Sequence, residues 1–161
     1  MNEADAPLLS PAGRQTGFAG GETTCAPDDK SASLAKQLPA KLLIVEDDHL
    51  VAMEMESVLL EAGFEVTGIA ATAEDALRKA QSVRPDLVLM DIRLAGVRDG
   101  VEAAIDLYSQ MGIRCVFATA HHDNRTQARA QPAQPLGWLA KPFQPATLLQ
   151  AVRTALAVPK A

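Results

Sequence analysis

Four places in this sequence set a polar or charged side chain directly after a short apolar run. Leu42-Leu43-Ile44-Val45 leads into Glu46-Asp47-Asp48, and Leu87-Val88-Leu89-Met90 leads into Asp91. The run from Ile113 closes on Thr119, and Trp138-Leu139-Ala140 leads into Lys141. Taken singly, each has a plain reading. Glu46-Asp47-Asp48 is a loop that caps a helix, with Asp48 as the cap, Asp91 is a turn residue and Lys141 a solvated charge. Brought together, they have a chemistry. Glu46, Asp47 and Asp91 would repel one another, since each carboxylate raises the cost of ionising the next. A divalent cation relieves that repulsion, and Mg²⁺, which takes oxygen ligands from one or two carboxylates, water and phosphate, suits the set. Lys141 adds a fixed positive charge and Thr119 a hydroxyl donor. A carboxylate so surrounded can attack phosphorus, making Asp91 the candidate nucleophile and an aspartyl phosphate the product.

Those residues meet only if the apolar runs are neighbouring strands, so the elements between them decide the matter. Runs of four apolar residues are too short for helices and suit strands buried on both faces. Between them lie amphipathic segments. Val51, Met55, Val58, Leu59 and Ala62 recur at helical spacing, with Gly63 as the stop. Phe64 to Ile69 alternates like an edge strand. Thr72-Ala-Glu-Asp75 resembles a capping box and opens a helix carrying Ala76, Leu77 and Ala80. Val101, Ala104, Ile105 and Tyr108 form another stripe, closed by Gly112. A last helix from Pro145 is expected to bury Leu148, Leu149, Val152 and Leu156. Only the segment between Ala120 and Gly137 has a poor helical signal, with alanines alone from Arg125 to Gln131 and prolines at 132 and 135.

The order is therefore strand-helix repeated five times. Strands buried on both faces and separated by helices predict an α/β fold, a parallel sheet covered on both sides. Right-handed crossovers make a five-stranded doubly wound sheet the simplest solution. If the strand order is 2-1-3-4-5, strands one and three are adjacent, and Glu46, Asp47 and Asp91 converge at the carboxyl ends where ligands bind such sheets.

Composition bounds the rest. A chain of 161 residues is one domain's length and can bury a core without disulfides or structural metal. The first 40 residues hold four Pro, four Gly and no hydrophobic period, so residues 1–40 are expected to be a disordered tail, with residues 41–158 the folded domain. No apolar stretch is long enough to span a membrane and the start does not read as a secretory signal. Two separated cysteines indicate neither zinc nor a disulfide framework, and a reduced, cytoplasmic setting is expected. A net charge of −5 lacks the basic footprint of a nucleic-acid binder, so neither nucleic acid nor membrane is an expected partner. A flavin- or nucleotide-binding enzyme of the same architecture is disfavoured, because no Gly-rich loop follows the first strand.

The motifs LLIVEDD (42–48), PDLVLMDIRL (85–94), VFATA (116–120) and GWLAKPF (137–143) resemble the receiver domains of two-component response regulators. The separations Glu46 to Asp91, Asp91 to Thr119 and Thr119 to Lys141, which are 45, 28 and 22 residues, fit the same family. The resemblance covers about residues 41–158. It implies the flavodoxin-like receiver fold and a phosphoprotein of a phosphorelay. Asp91 would accept a phosphoryl group from a histidine kinase or a histidine phosphotransfer protein. Glu46 and Asp47 would hold Mg²⁺ together with Asp91 and the backbone carbonyl of Arg93. Thr119 and Lys141 would each bond a phosphoryl oxygen, the Lys141-Pro142 peptide would be cis, and Trp138 would be the switch aromatic.

Some features depart from the common pattern. The stretch from Asp91 to Asp99-Gly100 is one residue longer, Ala95 stands near the usual proline, and Trp replaces the usual Tyr or Phe. Phe117-Ala118-Thr119 resembles a subgroup of stand-alone receivers, although Ala120-His121 breaks the match. His121 and His122 lack a third ligand at suitable spacing, so exposed residues at the mouth of the site are expected there. With only Pro159-Lys160-Ala161 after the last helix, a single-domain regulator is expected, and the resemblance implies a signalling module catalysing only its own phosphorylation and dephosphorylation. It would act on a downstream protein through the face of the fourth helix, fifth strand and last helix. A scaffold that works without phosphorylation is the alternative, which the complete set of Glu46, Asp47, Asp91, Thr119 and Lys141 disfavours.

Overall fold

The apolar runs are indeed strands, and all but the last are buried on both faces. In the computed structural model, residues 38–121 and 123–160 are described. The expected tail, apart from residues 38–40, and His122 lie outside the described residues. The elements are β1 (Lys41–Val45), α1 (His49–Glu61), β2 (Glu65–Ala70), α2 (Ala73–Val83), β3 (Leu87–Met90) and α3 (Gly100–Met111), then β4 (Cys115–Thr119), α4 (Asn124–Ala130), a 3-10 turn (Gln131–Ala133), β5 (Gly137–Ala140) and α5 (Pro145–Leu156). The five strands are parallel in the order β2-β1-β3-β4-β5, the doubly wound α/β sheet that the sequence predicts.

The period of two along each strand splits the core into two layers. Leu43, Val45, Val88, Met90, Cys115 and Phe117 pack on one face with the alanines of α2 and with α3. Leu42, Ile44, Leu87, Leu89, Val116 and Ala118 pack on the other with α1 and α5. β2 lies at the edge and is only half-buried until Ala70, as its alternation predicts.

The helices begin and end for local reasons. Asp48 caps α1 by accepting the Leu50 and Val51 N–H groups, and Gly63 follows the helix at φ 87°. Gly112 closes α3 at φ 68°. Two details differ from the expectation. Thr72 caps α2 through the Asp75 N–H, but the Asp75 carboxylate turns to Arg78 and Lys79, so no reciprocal box forms there. The full box is at α3, between Asp99 and Glu102, whose side chain is one methylene longer.

The buried stripes are also shifted. α3 buries Val101, Ala103, Ala104 and Leu107, with Ile105 and Tyr108 only half-buried, and α5 buries Leu148, Val152 and Ala155, with Leu149 and Leu156 at the margin. Both helices are apolar in two adjacent registers, and the smaller alanines take the tight contact with the sheet. α4 is the weak element expected, seven residues in which Ala130 alone is buried.

Candidate functional site

Backbone pairing sets the site at the carboxyl rim. The ladder runs one residue past β1, β3 and β5: Glu46 N–H donates to Ala70 C=O at 2.8 Å, Asp91 N–H to Val45 C=O at 2.8 Å and Lys141 N–H to Thr119 C=O at 3.0 Å. Glu46, Asp91, Thr119 and Lys141 thus leave the sheet at successive strand ends. Glu46, Asp91 and Thr119 are buried polar residues, at 3%, 8% and 3% exposure, whereas Asp47 is exposed in the loop beyond β1.

Carboxylate oxygens of Glu46, Asp47 and Asp91 all lie within 4.8 Å of one another. Lys141 Nζ bonds Glu46 Oε2 and stands 3.1 Å from Asp91 Oδ2, so a single ammonium serves two carboxylates. The other Asp91 oxygen accepts the Ile92 N–H at 2.7 Å, and Glu46 Oε1 accepts the Asp48 N–H at 3.2 Å. Burial, reinforced by the Asp91 charge, holds the Glu46 carboxyl above its ordinary value even though Lys141 pulls it down. Around three oxygens of this kind, charge is short by at least one cation. Hard oxygen donors at this spacing fit Mg²⁺, with room on the exposed Asp47 side for water.

The remaining expected residues are placed less uniformly. The Thr119 hydroxyl is engaged within its own loop, accepting the His121 N–H at 3.3 Å and donating to the His121 carbonyl at 3.4 Å. His121 is exposed, at the mouth as expected. Arg93 is exposed two residues beyond Asp91. The Lys141-Pro142 peptide is cis, as the resemblance implies. Trp138 stands three residues before Lys141. It is half-buried on β5 and stacks on Phe117 of β4, with ring centroids 4.6 Å apart and planes at 22°. Beside Lys141 a cavity of about 290 Å³ opens between Val51 and Glu54 of α1 and Pro142 and Phe143.

Gly100 is the residue the sequence reading noted only in passing. Its N–H donates to Ile92 C=O at 2.8 Å, and a Cβ there would lie 1.8 Å from the Asp91 carbonyl oxygen. No larger residue lets the start of α3 come so close to the backbone that carries Asp91. The Asp-Gly pair before a helical stripe was the available signal.

The family model of the response regulator receiver domain matches residues 42–153. The chain belongs to that family. Among curated proteins, the receiver is 36% identical over 131 residues to the phyllosphere-induced regulator PhyR of Methylorubrum extorquens, covering 80% of this chain and 48% of that protein. It is 34% identical over 119 residues to the transcriptional regulatory protein PdtaR of Mycobacterium tuberculosis, covering 74% and 58%. The chain thus spans about half the length of these two relatives. Among solved structures, the receiver domain of a modulated diguanylate cyclase from Desulfovibrio desulfuricans superposes with a TM-score of 0.69 at 37% identity, covering 73% of this chain and 94% of that one. The chemotaxis protein CheY4 of Vibrio cholerae gives 0.68 at 29%, covering 73% and 98%. Among the described residues of the receiver, no helix is long and apolar enough to cross a membrane.

Proposed function

We propose that Asp91 accepts a phosphoryl group from a phosphohistidine of a partner kinase or phosphotransfer protein, and that the protein signals by the surface change this causes. The observation that carries this reading is the Glu46–Asp47–Asp91 cluster at the carboxyl rim, with one lysine bridging Glu46 and Asp91. An Asp91 carboxylate oxygen attacks phosphorus, the P–N bond to the donor imidazole breaks, and the imidazole leaves with a proton. Glu46, Asp47, Asp91 and the Arg93 backbone carbonyl would hold Mg²⁺, which, when bound, neutralises charge on the transferring oxygens. Lys141 can follow the new phosphate from its place beside Asp91, and Thr119 can donate to a phosphoryl oxygen once it releases His121.

The output route in this reading is the face of α4, β5 and α5, bordered by Thr119 and Trp138, toward a downstream protein. Residues 41–158 suffice for the chemistry, with residues 1–40 dispensable. A cytoplasmic setting belongs to the same reading. Cys115 is a free, buried thiol that burial pushes up to about 12, so it stays a neutral core group. Incubation with acetyl phosphate and Mg²⁺ followed by intact-mass measurement tests the proposal. One phosphoryl adduct that needs Mg²⁺ is expected; a chain that gains no mass under these conditions refutes it.

A further inference from the structure

The start of α3 is built against the acceptor, and α4 is tied to the start of α3. Gly100 abuts the Asp91 carbonyl, so a shift of the α3 N-terminus is felt by the acceptor's own backbone. Asp99 caps that helix: its Oδ1 accepts the Glu102 N–H at 3.0 Å, and its own N–H donates to the Glu102 carboxylate at 3.0 Å. Its second oxygen, Oδ2, accepts from the Arg129 guanidinium at 2.7 Å, across 30 residues of chain. Arg129 lies in the last turn of α4. Among the described residues this is the only ion pair that α4 makes.

The other end of α4 leads to Thr119. Asp123 caps α4 by accepting the Thr126 N–H at 2.7 Å, and the short connection before it contains His121, to which the Thr119 hydroxyl is bonded. For that hydroxyl to turn toward an oxygen on Asp91 it must release the His121 backbone, which removes a tether at the start of the connection into α4. α4 offers little resistance through packing, with Ala130 alone buried. The ion pair is its main polar restraint.

We propose that the Arg129–Asp99 pair is a positioning tie, holding α4 against the Asp91–Gly100 loop in the unmodified chain and setting how readily the Thr119 loop yields. Arg129 touches no reacting group and acts through Asp99 and the start of α3. The link to labelling rests on Asp91 being the acceptor; the tie itself does not. Half-exposed pairs shift an equilibrium by about two- to fivefold, enough to tune a switch and too little to lock it.

A double-mutant cycle tests it, using Arg129→Gln, Asp99→Asn, both together, and Arg129→Lys. Asparagine keeps the capping oxygen and removes the charge. Two quantities are read: amide exchange over residues 120–133 in the unmodified protein, and the rate of labelling by acetyl phosphate with Mg²⁺. Each single variant should raise both by about two- to fivefold, with the double no higher than either single. Arg129→Lys should restore part of the native value, since an ammonium keeps the charge without the planar fork. The gap between native and Arg129→Gln should narrow as salt is raised. Unchanged exchange in Arg129→Gln, or additive effects in the double variant, overturns the tie. Raised exchange with an unchanged labelling rate overturns its coupling to Asp91. A native chain that takes no label, with the cycle in exchange intact, supports the tie and refutes the acceptor reading alone.

Discussion

At the carboxyl rim of the sheet, three carboxylates gather and one ammonium serves two of them; at the amino rim, Asp86 finds its partners within the chain. Asp86, just before β3, accepts the Lys41 N–H at 2.8 Å and the Lys160 ammonium at 2.6 Å. Arg84, Arg114 and Lys160 border the same groove of about 210 Å³, and Arg114 donates to the Pro159 carbonyl at 2.8 Å. Helices α2, α3 and α5 end at this rim, so these cations also face the negative ends of helix dipoles. The Asp86 charge is settled there within the chain itself. At the other rim charge is not so settled: two carboxylates about 4 Å apart repel by roughly 4 kcal/mol at an effective dielectric of 20, against less than about 1 kcal/mol contributed by a surface pair. Carboxylates that a fold clusters at one rim and pairs within the chain at the other mark the first rim as a place for a ligand.

The contrast is open to attack at both rims. The largest effect belongs to Asp91→Asn, which should abolish the phosphodonor-dependent mass gain; full labelling of that variant would move the acceptor elsewhere. Gly100→Ala should destabilise the domain by about 3 kcal/mol, the upper part of the range for overpacking, because its methyl group meets the Asp91 carbonyl. Denaturant melts measure this, and a loss below about 1 kcal/mol would show that α3 moves aside easily.

Asp47→Asn should weaken Mg²⁺ by about tenfold, or ~1.4 kcal/mol, in a titration followed by Trp138 fluorescence. An unchanged affinity would place the metal outside the cluster. The smallest effect is expected at the amino rim, where Lys160→Ala should cost less than about 1 kcal/mol.

Its pH dependence has a definite sign. Burial pushes the Asp86 carboxyl up, but the Lys160 ammonium and the Lys41 N–H outweigh it and hold it below its ordinary 3.8. A depressed folded-state value means that the stabilisation is full above the unfolded value and is lost as pH falls through the folded one. Native and Lys160→Ala melting temperatures should therefore differ near neutral pH and converge in acid well below 3.8. A gap that persists in acid would assign the effect to packing.

The strands and the rim residues were legible for one reason. A strand buried on both faces fixes which residue leaves its end, so Glu46, Asp91 and Thr119 could be numbered from apolar runs alone, and Lys141 from the shorter run of the edge strand β5. The helices were less so. α3 and α5 are apolar in two registers, and only the sheet chooses Leu107 over Tyr108 or Ala155 over Leu156. The capping box was read at Thr72, where Asp75 is too short to reach back, and passed over at Asp99-Gly-Val-Glu102, where the pattern is complete. Arg129–Asp99 and Phe117–Trp138 join residues distant in sequence and leave no local trace. That Gly100 must be glycine follows from an approach only the folded chain reveals.

The bond from Lys141 to Glu46 spans 95 residues of chain and three strand positions of the sheet. Such a contact is late and costly to form, since long loops close slowly and parallel pairing waits for its crossover helices. A chain emerging from synthesis has Glu46, Asp47 and Asp91 long before it has the lysine between them. Until β5 docks, the carboxylates face one another without their ammonium, and a half-made domain has no finished acceptor to offer. If Asp91 is the acceptor proposed above, competence to take a phosphoryl group would then certify that the last strand is in place, and a nascent or partly unfolded copy would stay silent.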